Sequence, residues 1–467
     1  MDAPFCSGES LRVPSAVPNT GNDWSMGRLF GTDGVRGVAN RELTPDLALA
    51  LGRAAGLTLA GSGGSVVVGR DTRLSGPMLE SAVVAGVCSA GADVVLAGIL
   101  PTPGVAFLTT ELRASAGCMI SASHNPVPDN GIKFFSDGGF KISQEIEEEL
   151  EALLANPPTE LPTGTHVGRP GLAPEAVHRY AEHLVSSIEG NLSGLRVVLD
   201  CAHGAAHSLA PMVFKEAGAD VIAIHDEPDG ARINVRCGST SLADLSAMVK
   251  REGADLGFAF DGDADRVLAV DESGAEVDGD GLIALSAIRM KTQGRLRHDV
   301  VVTTVMANLG FRRALEGQGI EVVAAPVGDK HVVAEMVARD ASLGGEQSGH
   351  IIFSDHATTG DGILTGLQIA AALVESATTL SSLAHIFEPY PQVLINVPVG
   401  DRESLEGSEV LWEEVARCET ALGQDGRVLL RASGTEPLVR VMVEAADPET
   451  ARRTAEGLAE QVRTHLS

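Results

Sequence analysis

What the chain has little of narrows its roles before any motif is read. Six cysteines, Cys6, Cys88, Cys118, Cys201, Cys237 and Cys418, are spread through 467 residues with no C-x-x-C pair and no short regular spacing. They read as reduced core thiols, not as a disulfide frame or a zinc site. No apolar run reaches the length of a membrane span, and the first residues lack a basic n-region and an apolar h-region, so the cytoplasm is the expected location. Basic residues are scarce: 35 stand against 63 acidic ones, for a formal net charge of -28. Such a surface repels polyanions, which argues against nucleic acid and anionic membrane as partners. A small phosphorylated ligand is still compatible, because it needs only a local pocket of cations and N–H donors. Walker and G-x-G-x-x-G motifs are missing, so nucleotide binding is not indicated.

What is present is ample material for cores. Apolar residues make up 44% and charged residues 21%, the balance of a globular protein. The length implies roughly three to four domains at ~100 to 200 residues each. Residues 1–25 are rich in Ser, Pro, Gly and Asn without an apolar period and are expected to be a flexible extension, with Met26 an alternative start. Residues 84–96, 212–224 and 248–260 share one phrase: a helical apolar pattern, Gly-Ala-Asp at the helix stop, then a short apolar strand. Residues 311–323 repeat it without the Ala-Asp. Gly-Ala-Asp also occurs as an ordinary helix-to-strand junction, but either origin gives α/β domains with buried strands. After the linker Glu388-Pro-Tyr-Pro391 the rhythm changes to strand, helix, two strands and helix, a compact α+β unit. The expected divisions are 26–168, 169–275, 276–389 and 390–467.

Four loops could carry chemistry. Ser121-Ala-Ser-His-Asn-Pro126 follows an apolar run and places Ser123 and His124 at a strand end, where a hydroxyl can act as nucleophile or phosphate carrier. Taken alone it is equally an ordinary Ser/Asn/Pro turn, and no G-x-S-x-G surrounds it. Asp261-Gly-Asp-Ala-Asp-Arg266 alternates carboxylates between two apolar strands, a hard-oxygen set suited to Mg²⁺. An EF-hand is disfavoured, because Arg266 occupies the position where the turn needs Gly. A bare acidic turn would leave three carboxylates repelling one another. Gly344-Gly-Glu-Gln-Ser-Gly-His350 brings Glu346, Ser348 and His350 between glycines, a pairing of carboxylate and hydroxyl that can hold sugar hydroxyls or form a plain turn. Arg431-Ala-Ser-Gly-Thr-Glu-Pro437, with Arg440 behind it, offers Arg431, Ser433, Gly434 and Thr435 as donors for a phosphate dianion.

In this order the four loops resemble the α-D-phosphohexomutase superfamily, most closely its bacterial phosphoglucosamine mutase branch. Arg28-Leu-Phe-Gly-Thr-Asp-Gly-Val-Arg-Gly37, Asp129-Asn-Gly-Ile-Lys-Phe-Phe135 and Glu346-Gln-Ser-Gly-His350 have that branch's spelling, Gln347 separating it from phosphomannomutases and glucomutases. Gly328-Asp-Lys-His-Val332 departs from it, since the branch has Arg-Tyr after the Asp. The resemblance implies three related mixed α/β domains and a C-terminal α+β domain around a central cleft. It implies that Ser123 carries the phosphoryl group, with Asp261, Asp263 and Asp265, joined by Ser123's phosphate, holding Mg²⁺. Arg36, Lys133, His124 and Arg266 would surround the reacting groups. Glu346, Ser348 and His350 would grip the sugar, and Arg431, Ser433, Gly434, Thr435 and Arg440 the non-reacting phosphate.

The implied reaction interconverts glucosamine 6-phosphate and glucosamine 1-phosphate through a 1,6-bisphosphate, feeding UDP-N-acetylglucosamine and cell-wall precursors. Mannose or glucose phosphates are the alternative substrates. A phosphosugar sensor without turnover and a metal-dependent phosphatase are rivals from other classes; the latter is disfavoured because Asp265 and Arg266, not Thr, follow the D-x-D pair. Lys133 or His350 is the expected base. The expected partner is a small phosphosugar, and a homodimer is a further expectation.

Overall fold

The computed structural model describes residues 28–31, 33–401, 403–433 and 437–466. The expected extension over 1–25, the alternative start at Met26, and Gly434 and Thr435 lie outside the described residues.

Four sheets follow one another along the chain. The first orders Val35–Val38, Asp129–Ser136, Ala116–Ile120, Ser65–Arg70, Asp93–Ile99 and Pro170–Leu172 side by side. The second orders Glu276–Val277, Val267–Asp271, Leu256–Phe260, Arg196–Asp200 and Asp220–Ile224, and the third Glu321–Ala325, Val300–Thr304, Leu343–Gly345 and Ile351–Phe353. One plan runs through all three. A strand, a helix, a parallel strand, a second helix and a third parallel strand are followed by a loop and an antiparallel return strand. Wholly apolar or small sequences such as Ala116–Ile120 and Leu256–Phe260 are buried along their length, as strands covered on both faces must be. The first sheet draws on Pro170–Leu172, which pairs with Asp93–Ile99, and so reaches beyond residue 168.

The repeated Gly phrase lies at helix ends, with φ of 89°, 101°, 60° and 69° at Gly91, Gly218, Gly253 and Gly319. These left-handed values are the conformation that glycine adopts without a Cβ penalty. Three copies lead into the second strand of their sheets, whereas Gly253 leads into the third strand of the second sheet. Local chemistry fixed the helix stop in each copy but not its place in the repeat.

A continuous apolar core joins parts of the first three sheets, from Val67 and Leu100 through Leu199 and Phe258 to Leu343 and Leu367. The fourth sheet, Gln392–Pro398, Leu438–Ala445 and Gly426–Ala432, is antiparallel. With the helices Glu409–Leu422 and Pro448–Leu466 it encloses its own core around Val441, Leu411 and Leu458. Its junction with the third sheet is polar. Asn308 Nδ2 donates to the Tyr390 carbonyl at 3.0 Å, Leu309 N–H to Glu444 at 3.0 Å, and Arg427 to the Val305 and Ala307 carbonyls at 2.8 and 2.5 Å. Among the described residues no helix is long and apolar enough to cross a membrane.

Candidate active site

The serine, aspartate and Glu346 loops occupy the same place in their sheets: each is the turn between the third parallel strand and the antiparallel return strand. Two of them meet. Ser123 Oγ donates to Asp261 Oδ2 at 2.5 Å across 138 residues of sequence, and lies 3.3 Å from His124 Nδ1. Ser123 has φ of 52°, a left-handed conformation uncommon for a residue with a Cβ. The surroundings hold it there. The fully buried Arg73 guanidinium donates to the carbonyls of Ser123 and Asn125 at 2.9 and 2.8 Å and of Pro126 and Asp129 at 2.7 and 3.0 Å. Asp71 receives Arg73 Nε at 3.0 Å and Ser121 Oγ at 2.7 Å, and from the second domain Asn234 Nδ2 donates to the Ser123 carbonyl at 2.8 Å.

Asp261, Asp263 and Asp265 converge so that one carboxylate oxygen of each lies within 4.8 Å of the others, all buried. Oδ1 of Asp263 and of Asp265 is shielded from solvent and makes no hydrogen bond. Burial, then the Asp265 and Asp263 charges, push the Asp261 carboxyl well above the usual range. Three buried carboxylates in mutual repulsion, with two unpartnered oxygens among them, fit a hard divalent cation.

Cations surround this acid. Lys133 Nζ sits 2.8 Å from Asp263, 3.2 Å from Asp33 and 3.6 Å from Asp265. Burial opposes its charge, yet Asp263, Asp33 and Asp265 raise its pKa, so it stays an ammonium. Burial likewise opposes Arg266, and Asp265, Asp261 and Glu346 hold it charged. His124 is driven down to about 4, first by burial and then by Arg266 and Arg36, and is neutral at pH 7. Arg36 binds Asn125 Oδ1 at 3.0 Å and pairs with Asp33. His350 is buried, and its Nε2 accepts the Gly360 N–H at 3.1 Å, which occupies the lone pair a base would use.

In the third loop, Glu346 accepts from Gly328 N–H at 3.2 Å, and Ser348 Oγ lies 3.4 Å from Glu346. Gln347 turns to Asp278 at 3.1 Å. A cavity of about 830 Å³ between the first and third domains is lined by Lys141, Asp329, Lys330 and His331. Lys141 joins it to the cation cluster by pairing with both Asp33 and Asp329. In the fourth domain Arg431 and Arg440 stand directly opposite on paired strands. Burial, then the Arg440 charge, lower the Arg431 pKa, so like charges face each other as they would around an anion. Ser433 is buried beside them, its N–H on the Leu438 carbonyl at 2.9 Å.

Sequence reading missed Arg73, Asp71, Asp33, Lys141 and Thr102, whose Oγ1 donates to Asp263 at 2.5 Å. The nearest available signal was the charged run Gly69-Arg-Asp-Thr-Arg73 at the end of an apolar strand.

Comparison with known proteins agrees with this arrangement. Family models described as Phosphoglucomutase/phosphomannomutase alpha/beta/alpha domains I, II and III match residues 27–160, 178–274 and 278–390, and the C-terminal domain model matches 394–461. Curated phosphoglucosamine mutases from Salinispora tropica and Symbiobacterium thermophilum are 55% and 52% identical, each over 94% of this chain and 99% and 100% of their own. A phosphoglucomutase/phosphomannomutase family protein from Burkholderia thailandensis superposes with a TM-score of 0.80 at 25% identity, covering 94% of this chain and 98% of that one. An Aspergillus fumigatus N-acetylphosphoglucosamine mutase in complex with GlcNAc-6P and magnesium shares the fold, with a TM-score of 0.68 at 19% identity over 94% and 96% of the two chains. Four domain models in unbroken order and near full-length identity above half lead to one assignment: the chain belongs to the phosphohexomutase superfamily and, within it, to the bacterial phosphoglucosamine mutases.

Proposed function

We propose that the chain interconverts glucosamine 6-phosphate and glucosamine 1-phosphate, with Ser123 as the phosphoryl carrier and glucosamine 1,6-bisphosphate as the intermediate. The observation that carries this reading is the 2.5 Å contact between Ser123 Oγ and the buried aspartate cage. Asp261, Asp263 and Asp265 would hold Mg²⁺, whose oxygen preference matches theirs. When bound, Mg²⁺ would supply charge stabilisation for the transferred phosphoryl group.

The chain's own groups do the rest. Arg73 and Asn234 fix the serine backbone in line, which is most of what phosphoryl transfer asks of a protein. Lys133, Arg36 and Arg266 gather around the serine and aspartate loops and offset negative charge as it builds on the phosphoryl oxygens. Neutral His124, with Nδ1 3.3 Å from Oγ, is placed to take the serine proton when the phosphoryl group returns. Glu346 and Ser348 hold sugar hydroxyls, and Arg431, Arg440, Ser433, Gly434 and Thr435 hold the phosphate that is not reacting. The fourth domain swings on its polar junction to close over that phosphate and exclude water. We take the functional divisions to fall near residues 172, 275 and 389. Cytoplasmic action suits the five cysteines among the described residues, all free thiols. The homodimer expectation is left to sedimentation velocity, where a single species at monomer mass removes it.

Ser123→Ala should abolish isomerisation while the protein still melts cooperatively; a variant that keeps wild-type turnover would end the mechanism. Chelation of divalent ions should stop turnover and Mg²⁺ should restore it. Side-by-side kcat/KM on glucosamine, mannose and glucose phosphates tests the substrate, a preference for a sugar lacking the amine defeating the choice.

A further inference from the structure

The second domain carries a group of potential ligands that the mutase reaction does not use. Asp200 ends the strand Arg196–Asp200, and His225 follows the neighbouring parallel strand Asp220–Ile224, whose Ile224 is in register with Asp200. Cys237 arrives from the connection that precedes the turn Gly238–Thr240. One oxygen, one ring nitrogen and the thiol of these three residues lie within 4.8 Å of one another. We infer that Asp200, His225 and Cys237 form a binding site for a zinc-class divalent transition metal, separate from the aspartate cage and independent of the proposed reaction.

The chemistry of the donors selects the ion. Thiolate, imidazole and carboxylate together are a zinc-type set, whereas Mg²⁺ takes oxygen ligands and leaves thiolates alone. The charges also balance: a dication with one carboxylate, one thiolate and a neutral imidazole sums to zero, as a buried cluster requires. On binding, the metal–sulfur bond replaces the S–H bond and the thiol proton leaves to solvent.

The surroundings are already those of a ligand shell. His225 Nδ1 is shielded from solvent and lies 3.1 Å from Asp200 Oδ1, an ion-pair contact that a metal shared by the two residues would replace. Its other nitrogen, Nε2, faces the Asp244 carboxylate at 3.5 Å. That is the usual support for a metal-bound imidazole, whose free N–H goes to an outer carboxylate. Asp200 is oriented by the N–H groups of Ala202 and Gly238 at 3.0 and 2.9 Å. Cys237 and Asp200 are 1% and 0% exposed, while the His225 side chain keeps 23% of its surface open as a way in. Three protein ligands leave a fourth tetrahedral position for water. The cysteine spacing gave no hint of such a site because its ligands come from two strand ends and a connecting loop.

The site also backs onto the reaction loops. Ala205 N–H donates to the Gly262 carbonyl at 2.8 Å inside the aspartate loop, and Asn234, three residues before Cys237, holds the Ser123 carbonyl.

The test is titration of the full chain with Co²⁺ in a large excess of Mg²⁺, which fills the aspartate cage. One equivalent should produce a thiolate-to-cobalt charge-transfer absorption, and Zn²⁺ should abolish it by competition. Cys237→Ser, a one-atom change checked for folding by its Mg²⁺-supported turnover, should lose the absorption. His225→Gln should bind Co²⁺ at least about tenfold more weakly, and Asp244→Asn about tenfold more weakly. No absorption in the wild-type chain, an absorption that survives Cys237→Ser, or unchanged affinity in His225→Gln overturns the site.

Discussion

The first three domains and the fourth are built to different rules. The former repeat one sheet plan and share a continuous apolar core, whereas the latter keeps a core of its own and meets its neighbour through arginine, asparagine and glutamate. A dry shared core resists relative motion, because sliding would open voids. A polar junction exchanges its hydrogen bonds with water at much smaller cost. The reacting groups therefore sit where positions are fixed, and the arginines opposite each other on Arg431 and Arg440 sit where movement is cheap.

The largest effect in this contrast is expected at Arg73. Arg73→Ala strips the serine loop of four carbonyl contacts and leaves Asp71 charged or protonated without its partner. A loss of about 3–5 kcal/mol is expected in denaturant unfolding, with turnover falling below detection. A wild-type midpoint would break the idea of a pinned loop. Next come two core truncations that separate the units. Phe258→Ala should cost about 3–5 kcal/mol and lower the main calorimetric transition, while Leu458→Ala should cost about 2–5 kcal/mol and move only the fourth domain's transition. If both shift one common transition, the separation of cores has no energetic meaning.

Arg431→Ala probes function in place of stability. It should raise KM by the equivalent of about 1.5–3 kcal/mol, with kcat less affected, if the lost bonds are, as proposed, to a phosphate that does not react. An unchanged KM with a collapsed kcat would move the residue into the reacting set. A pH-dependent effect belongs to the junction. Asp280 receives the Asn308 N–H at 2.7 Å, and burial, then the Asp278 charge, push its carboxyl up to about 8. The folded protein then holds a proton that the unfolded chain releases near pH 4, so this group makes stability fall as pH rises from about 4 to about 8. Asp280→Asn should flatten that slope in melting curves taken across the window; an unaltered slope removes Asp280 from the junction's pH response.

Much of the site was legible in the chain because its loops announce themselves locally. Asp261-Gly-Asp-Ala-Asp-Arg266 has a chemical meaning by spacing alone, and Arg431 and Arg440 flank their turn in plain view. The residues that failed to register act across long separations. Arg73 reaches 50 residues to Ser123, and Thr102 reaches 161 residues to Asp263. Neither belongs to a period, a cap or a spaced ligand set, so no local rule marks it. The Gly-Ala-Asp phrase fails in the opposite way: it is a true local signal, but helix stops look alike whether the next strand is second or third in its sheet. For the bases, the sequence named Lys133 and His350 by type, but their neighbours, Asp263 for one and the Gly360 N–H for the other, come from other parts of the chain that no local pattern marks.

The guanidinium behind Ser123 has a consequence for the catalytic cycle as a whole. Because it grasps main-chain oxygens and leaves the hydroxyl free, the cargo hanging from that hydroxyl can change while the peptide beneath it keeps one shape. The loaded and unloaded enzymes would then share a single scaffold, and each half of the cycle would begin with no loop to rebuild.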